Sequence, residues 1–399
     1  MKTAIATQSN SLPTRITLLL ASMLTVMASA TIAPSLPAML KHFETVPNSA
    51  YWVRLVLTLP ALFIAISAPI LGILVDRLGR KPLLFTALIV YGVAGSSGLW
   101  LTSLDTIIIG RALLGISVAG ITISSTALIA DYYVGAARGK FLGLQAAFSS
   151  LGGVVFLSLG GWLADTGWRN PFLIYFTALL IVPAVLLFLP EPPRQDLSQT
   201  ATANLSNSPD NSSRVPYVIV YLTYGAAILS QMAFYTIPVQ IPFYLKNLFQ
   251  ASASQSGLAI AVCTLGSAIS SFQYQRIKTK LTFFSIYGIA LSTMALGFAL
   301  ISFGGSLAVI ALGLASVGLG LGLIMPNMNV CLTSATPVNM RGRVLGGLTT
   351  SMFLGQFLSP LASQPLSVAI GLDRTYGLAG IAMVILAIAF IVLLWNWSD

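Results

Sequence analysis

The stretch Gly72-Ile73-Leu74-Val75-Asp76-Arg77-Leu78-Gly79-Arg80-Lys81 decides the fold. It places four charged residues and two glycines between long apolar runs, in a chain of which only 8% is charged. Such a cluster predicts a short turn between two membrane helices, with glycines that allow close backbone approach. Its basic residues would hold the turn on the cytoplasmic side. Asp76 would need a basic side chain or the positive end of a helix as a partner.

The composition of the whole chain agrees with a membrane protein. The 399 residues are 56% hydrophobic with a net charge of +10, and the mean hydropathy is +0.88. Soluble domains carry about 25% charged residues, so an ordinary globular enzyme is excluded. Lys and Arg are scattered through short loops and form no patch, so we expect no nucleic-acid partner.

Twelve apolar runs are long enough to cross a bilayer, which takes about 20 helical residues. The even number puts both termini on one side, and the concentration of Lys and Arg makes that side cytoplasmic. The first run is too long for a signal-peptide core, so we expect it to remain as a spanning helix. The runs cover approximately residues 16–40, 52–75, 83–103, 106–130, 140–164, 171–190, 216–245, 256–274, 282–303, 306–332, 343–369 and 375–397.

The chain divides near its midpoint into two related halves. Residues 191–215 are rich in Ser, Thr, Asn and Asp, which predicts a cytoplasmic linker between domains at 1–190 and 216–399. Arg138-Gly139-Lys140 in the first half corresponds to Arg341-Gly342-Arg343 in the second, at an offset of 203 residues. Such a repeat predicts two six-helix bundles with a site between them.

The pattern Gly-x-x-x-Asp-Arg-x-Gly-Arg-Lys at residues 72–81 resembles motif A of the major facilitator superfamily, which lies between helices 2 and 3. The resemblance implies an all-α integral membrane transporter with twelve transmembrane helices in two pseudo-symmetric six-helix bundles. It is most similar to the drug/proton antiporter branch, which implies a bacterial inner (plasma) membrane and a monomer.

The resemblance also implies a conformational latch. Asp76 would face the helix that starts near Gly342, and Arg80 would pair with Asp131 at the end of the fourth helix. This latch would hold when the transporter opens outward and break when it opens inward; a static topological anchor is the alternative. The residues assigned to the latch are Gly72, Asp76, Arg77, Gly79, Arg80, Lys81, Asp131 and Arg138.

Arg111 is a candidate coupling or substrate residue. It lies about six residues into the fourth apolar run, hence ~9 Å from its outer end, where an arginine is costly and usually functional. The segment from Gly110 to Gly115 resembles motif B, which the superfamily associates with proton coupling. Snorkelling to the membrane surface is the alternative.

Glycines in the fourth and fifth runs are assigned to helix packing. Gly115, Gly152, Gly160 and Gly161 form this set. The fifth run resembles antiporter motif C only in part, because Phe156 and Leu157 stand where the motif has Gly-Pro.

Polar or proline-broken positions within the helices are candidates for a substrate cavity. Aromatic, Met and amide side chains without a fixed charge suit lipophilic or amphipathic compounds, although hydrogen bonding between helices explains each amide equally well. The candidates are Gln231, Tyr235, Gln240, Met325, Asn327, Asn329 and Gln356.

These observations predict a secondary active transporter that exports small lipophilic or amphipathic compounds by alternating access, with H+ as the coupling ion and no cofactor. No acid falls within the middle of an apolar run, so the proton-carrying residue stays open among Asp76, Asp131 and Arg111. The alternative within the same fold is transport of an anionic or sugar-like metabolite, with Arg111 as the anion ligand. A membrane enzyme or sensor is a remote alternative, because the sequence has no catalytic cluster, no metal site and no soluble output domain.

Overall fold

The computed structural model describes residues 11–192, 217–337 and 340–397. Twelve long α-helices and no strand are found in these residues, which confirms the all-α prediction. The helices are α1 (Leu12–Ala30), α2 (Ser49–Leu78), α3 (Arg80–Ser96), α4 (Leu104–Tyr132), α5 (Gly135–Thr166), α6 (Thr177–Phe188), α7 (Tyr217–Phe249), α8 (Ala253–Lys278), α9 (Phe283–Phe303), α10 (Leu307–Ala335), α11 (Arg341–Ile370) and α12 (Leu372–Trp397).

Two of these helices are extended by irregular segments. A 3₁₀ turn (Ala33–Ser35) and a short helix (Leu36–His42) continue α1, and a 3₁₀ stretch (Asn170–Phe176) leads into α6. Each of these segments begins at or beside a proline, which cannot supply the N–H that a continuous α-helix needs at that position. Together with these segments, α1 and α6 are long enough to cross a bilayer.

Hydroxyl side chains fix where several helices begin. Ser103 caps α4, Ser306 caps α10 and Thr282 caps α9, each by accepting a hydrogen bond from a backbone N–H of the first turn. Ser252 and Gln255 form a reciprocal capping box at the start of α8. These caps satisfy donors that would otherwise lie unpaired at the ends of membrane helices.

The helix α11 differs from the others in polarity. Eleven stretches of the described chain are long and apolar enough to cross a membrane, and α11 is not among them. It is 30 residues long, but it carries two prolines and the buried polar residues Ser359, Ser363 and Gln364. Because α11 packs against α2 and α7, these groups face protein instead of lipid.

The helices form two bundles of six. Helices α1–α6 pack chiefly on one another, as do α7–α12, and the largest contacts between the two sets are α5 with α8 and α2 with α11. The predicted domain limits at 190 and 216 stay a prediction, because residues 193–216 of the linker lie outside the described residues.

The two ends of the molecule differ. We call the end with Arg80 and Arg138 the basic end, and the opposite one the Asp165 end. At the Asp165 end, the carboxylate of Asp165 in α5 accepts hydrogen bonds from the first residues of α8. At the basic end, a Cβ added to Gly139, Gly143, Gly342 or Gly346, in the first turns of α5 and α11, would meet no described atom of another element within 4 Å. Among the described residues, the bundles are therefore in contact at the Asp165 end, whereas α5 and α11 leave open space beside these glycines at the basic end.

Candidate functional site

A cavity of about 350 Å³ lies between the two bundles. Both bundles contribute to its walls, through α1, α2, α4 and α5 on one side and α7, α8, α10 and α11 on the other. Most of the wall is apolar, and polar side chains are few. The lining residues are Thr25, Val26, Ala28, Leu57, Pro60, Ala61, Ile64, Val118, Thr122, Leu157, Phe234, Tyr235, Pro238, Ile260, Cys263, Thr264, Ser267, Leu321, Phe353 and Gln356.

Two of the predicted cavity residues, Tyr235 and Gln356, line this space. Gln231 lies behind them and is 2% exposed. Its Oε1 accepts a hydrogen bond of 3.3 Å from Nε2 of Gln356, and its own Nε2 lies 3.2 Å from Sδ of Met325. Gln231 and Met325 therefore hold the Gln356 amide in place from outside the cavity.

The structure departs from the prediction at Asn327 and Asn329. Asn327 is fully buried, donates from Nδ2 to the Phe283 carbonyl at 3.0 Å and accepts from the Tyr274 hydroxyl at 3.3 Å. Asn329 is exposed, and its Nδ2 donates to the Met325 carbonyl one turn earlier. Neither residue is among the lining residues, because both lie on faces of α10 that turn away from the cavity.

Gln240 belongs to a polar network at the closed end of the cavity, together with Arg54. Arg54 in α2 is 5% exposed, and its Nε donates to Oε1 of Gln240 in α7 at 3.1 Å. Its Nη1 donates to the Ala50 carbonyl at 2.7 Å, and its Cζ lies 4.1 Å from the centre of the Phe243 ring. The guanidinium is thus held by neutral partners and a ring face.

The network continues into α11. Nε2 of Gln240 lies 3.3 Å from Oγ of Ser363 and 3.3 Å from Oε1 of Gln364. These side chains join α2 of the first bundle to α7 and α11 of the second.

The sequence analysis did not single out Arg54 as a site residue. The available signal was helical register. Arg54 lies three and seven residues before Leu57 and Ala61, which face the cavity.

Arg111 lies inside the first bundle, away from the cavity lining. It is fully buried, and its Nη2 donates to the Gly95 carbonyl of α3 at 3.0 Å. Its Nη1 donates to the Tyr175 hydroxyl at 3.0 Å, and that hydroxyl donates to the Ala28 carbonyl of α1 at 2.8 Å. The Phe172 and Tyr175 rings lie 4.6 and 4.8 Å from its Cζ. Arg111 therefore neither snorkels nor touches the cavity in this structure, and it ties four helix segments together.

At the basic end, the side chain of Arg80 contacts two acidic residues. Its Nε lies 3.1 Å from Oδ2 of Asp131, and its Nη2 lies 3.5 Å from Oδ1 of Asp76. The carboxylate of Glu191 accepts hydrogen bonds from the backbone N–H groups of Arg80 and Lys81 at 2.8 and 2.7 Å. Glu191 is a second residue that sequence reasoning missed. Glu191 lies just beyond the end of α6 and caps the N-terminus of α3, a position at which negative charge is favoured.

The backbone conformation of Gly79 explains why the motif has a glycine at this position. Its φ of +104° is a conformation that side chains rarely adopt, and a Cβ there would lie 2.5 Å from Oε1 of Glu191. The glycine therefore allows both the sharp turn between α2 and α3 and the Glu191 cap.

The contact expected between Asp76 and the start of α11 is not made in this structure. The Asp76 side chain is 54% exposed, and a Cβ on Gly342 would have no described neighbour within 4 Å. Arg77 and Arg138 are exposed, while Nζ of Lys81 donates to the Leu186 carbonyl at 2.8 Å. Of the latch residues, Arg80, Asp76 and Asp131 are thus in contact within the first bundle, and Asp76 has no described contact with the start of α11.

The four glycines assigned to helix packing lie at close approaches between helices. A Cβ on Gly115 would lie 2.4 Å from the Pro60 carbonyl oxygen, and one on Gly160 would lie 2.2 Å from that of Thr31. A Cβ on Gly152 would lie 3.2 Å from the Met23 side chain. Gly161 lies at the interface between the bundles, where an added Cβ would lie 2.8 Å from the Ala253 carbonyl oxygen of α8.

Comparison with known proteins agrees with this geometry. The family model described as the Major Facilitator Superfamily matches residues 18–360 and 223–397. The chain is 27% identical to the tetracycline resistance protein, class B, of Escherichia coli over 274 residues, 66% of each chain. It is 23% identical to the multi-drug resistance efflux pump PmrA of Streptococcus pneumoniae over 333 residues, 82% of each chain.

A solved structure shows the same fold. The crystal structure of a D-xylose-proton symporter matches with a TM-score of 0.80 at 18% identity, over 95% of this chain and 96% of that one. The family match, the two six-helix bundles and the cavity between them confirm the expectation from residues 72–81: the protein is an integral membrane transporter that belongs to the major facilitator superfamily.

Proposed function

We propose that the protein exports small lipophilic or amphipathic compounds in exchange for protons, by alternating access. The observation that carries this proposal is the largely apolar cavity between the bundles, closed at the Asp165 end and open toward the basic end. A site that both bundles line can change its accessible side when the bundles rock about it. The names of the relatives, a tetracycline resistance protein and a multi-drug efflux pump, favour export of such compounds.

The proposed orientation follows from charge. Arg77, Arg80, Lys81 and Arg138 cluster at the basic end, which we assign to the cytoplasm together with both termini. The membrane would be the bacterial inner membrane. In this orientation the cavity is open to the cytoplasm, the side from which an exporter takes its substrate.

Proton coupling would use acids at helix ends. None of the described lining residues is acidic. The acids Asp76, Asp131, Asp165 and Glu191 lie in the last turn of a helix or just beyond it. We propose that protons act by changing contacts at these ends, with no carboxylate at the substrate itself.

The transporter would work as a monomer and would not bind nucleic acid. Its two bundles would comprise residues 1–190 and 216–399.

The test is transport in inverted membrane vesicles. The vesicles are energised with a proton gradient, lipophilic dyes and antibiotics are added, and the pH gradient is followed. Loss of the gradient that depends on a compound is expected for the wild type and for Asn329→Ala, which alters an amide away from the cavity. It should fall in Tyr235→Ala. No response of the wild type to any compound, with intact protein in the membrane, would refute drug export.

One observation favours a second candidate, transport of an anionic metabolite. Arg111 cannot be the anion ligand in this conformation, since its donors point to Gly95 and Tyr175 inside the first bundle. Arg54 is a better candidate, because its charge lies at the closed end of the cavity among neutral partners. Uptake of organic anions by the same vesicles, lost in Arg54→Gln, would support this candidate over drug export.

A further inference from the structure

Asp165 makes a set of hydrogen bonds between the two bundles. It is the last residue but one of α5, and its carboxylate accepts from the backbone N–H groups of Ala253 at 2.7 Å and Ser254 at 3.2 Å. It also accepts from the Ser254 hydroxyl. Ala253 and Ser254 begin α8, where N–H groups have no partner within the helix and carry partial positive charge. A carboxylate is the strongest acceptor that a side chain can offer there.

The backbone beside Asp165 leaves no room for a passage. One turn earlier, a Cβ on Gly161 would lie 2.8 Å from the Ala253 oxygen. One on Gly257 would lie 2.6 Å from the Leu157 oxygen, and Leu157 lines the cavity. The contact between α5 and α8 therefore closes this end of the cavity. Opening that end requires the Asp165 hydrogen bonds to break.

The sequence around Asp165 repeats that of motif A. Gly161, Asp165, Arg169 and Pro171 follow Gly72, Asp76, Arg80 and Pro82 at a constant offset of 89 residues. Gly72 and Asp76 lie near the end of α2, and Gly161 and Asp165 lie near the end of α5; each of these helices is the middle one of a three-helix unit. The Arg and Pro of each set lie at the start of the segment that follows. Three-helix units with inverted topology are the expected building blocks of each bundle in this fold. Asp76 and Asp165 are thus equivalent positions at opposite ends of the molecule.

The two carboxylates are in opposite states. Asp165 is bound to the start of α8, whereas Asp76 is 54% exposed and contacts its own neighbour Arg80. The glycines four residues earlier differ likewise, since Gly161 contacts the second bundle and a Cβ on Gly72 would have no described neighbour within 4 Å.

We propose that Asp165 is a gating residue for transport. Its bond to the first turn of α8 holds the Asp165 end closed, as the latch expected of Asp76 would hold the basic end closed when the transporter opens outward. The inference rests on the transporter fold and on the proposed orientation, and it needs neither the substrate nor the coupling ion of the proposed function.

Thiol labelling of the cavity tests this gate. Thr264, which lines the cavity, is replaced by cysteine in a chain carrying Cys263→Ser and Cys331→Ser. A membrane-impermeant maleimide is applied outside intact cells, at the Asp165 end. The variant Asp165→Asn keeps the side-chain volume and one acceptor but loses the charge. We expect its labelling rate to rise about tenfold, as fits the loss of charge-assisted hydrogen bonds. Ser254→Ala, which removes only the hydroxyl donor, should raise the rate by about threefold.

Matched variants separate gating from general loosening. Asp105→Asn changes an exposed acid in the first turn of α4 at the same end, and its labelling rate should equal that of the parent. Asp76→Asn should lower labelling from outside and raise it from the basic end, measured in inverted vesicles. The double variant Asp76→Asn/Asp165→Asn should return toward the parent.

Three outcomes would overturn the proposal. The first is unchanged labelling in both Asp165→Asn and Ser254→Ala, in protein that keeps the parental melting temperature. The second is an equal rise in Asp105→Asn, and the third is a rise from outside in Asp76→Asn. Labelling needs no substrate, so failure to find an exported compound would leave this result intact.

Discussion

Nε of Arg54 in α2 lies 3.1 Å from Oε1 of Gln240 in α7, which makes a buried charged hydrogen bond between the two bundles. The ion pairs found among the described residues involve only Arg80 with Asp76 and Asp131. The buried charge of Arg54 therefore depends on the Gln240 amide, the Ala50 carbonyl and the Phe243 ring.

Removal of that amide should weaken the closed end. In Gln240→Leu the Nε donor loses its acceptor, and we expect a loss of about 1.5–3 kcal/mol, typical of a hydrogen bond to a charged group. Thermal unfolding in detergent measures this as a lower melting temperature. Ser363→Ala removes only a neutral partner of Gln240 and is the control. Equal melting temperatures for the two variants would contradict this role of Gln240.

The hydroxyl of Tyr175 should matter more than that of Tyr91. Tyr175→Phe leaves Nη1 of Arg111 without its acceptor, in a guanidinium whose Nε already has no partner. We expect a cost of about 1.5–3 kcal/mol. Tyr91→Phe loses one neutral hydrogen bond, from its hydroxyl to the Leu24 carbonyl at 2.7 Å, and should cost about 1 kcal/mol. Similar melting temperatures for both variants would show that Arg111 does not depend on Tyr175.

Gly115→Ala should separate α4 from α2. The added Cβ would lie 2.4 Å from the Pro60 carbonyl oxygen, which is backbone and cannot rotate away. Overpacking of this kind costs about 1–3 kcal/mol. Gly225→Ala is the control, because a Cβ there meets no described atom within 4 Å, and alanine favours the helix by up to about 1 kcal/mol. The melting temperature should fall in the first variant and hold or rise in the second.

Gln356→Leu should change substrate affinity without changing the fold. It removes a polar group from the cavity wall and leaves Gln231 with its contact to Met325. For a substrate with a hydrogen-bonding group we expect KM to rise about fivefold to twentyfold, which corresponds to about 1–2 kcal/mol. Asn329→Leu, on an exposed face of α10, should leave KM unchanged. Parallel shifts of KM in both variants would place the cavity elsewhere.

The sequence was sufficient for the fold because its strongest signals are local. The turn at Gly79, the apolar runs on either side and the repeat of Arg138 as Arg341 depend on chain position and hydropathy, which a single sequence contains. The structure has a helix for each of the twelve predicted runs.

The site was harder to predict than the fold. The depth of a polar residue in a membrane helix can be counted along the sequence, but the direction in which its side chain points depends on how the neighbouring helices pack. Gln356 and Asn327 look alike in sequence, yet Gln356 faces the cavity and Asn327 bonds to α8 and α9. Arg54 and Arg111 lie at similar distances from a helix start. One joins the bundles, and the other is enclosed by the aromatic rings of one bundle.

The polarity of α11 also bears on how the protein is made. A helix that carries prolines, glutamines and serines across a bilayer gains little by entering lipid alone. Two of its buried polar side chains, Ser363 and Gln364, bond to Gln240 of α7, which is synthesised earlier. Stable insertion of α11 by the translocation machinery therefore depends on helices that are already in the membrane, so that α11 joins the second bundle by docking against them.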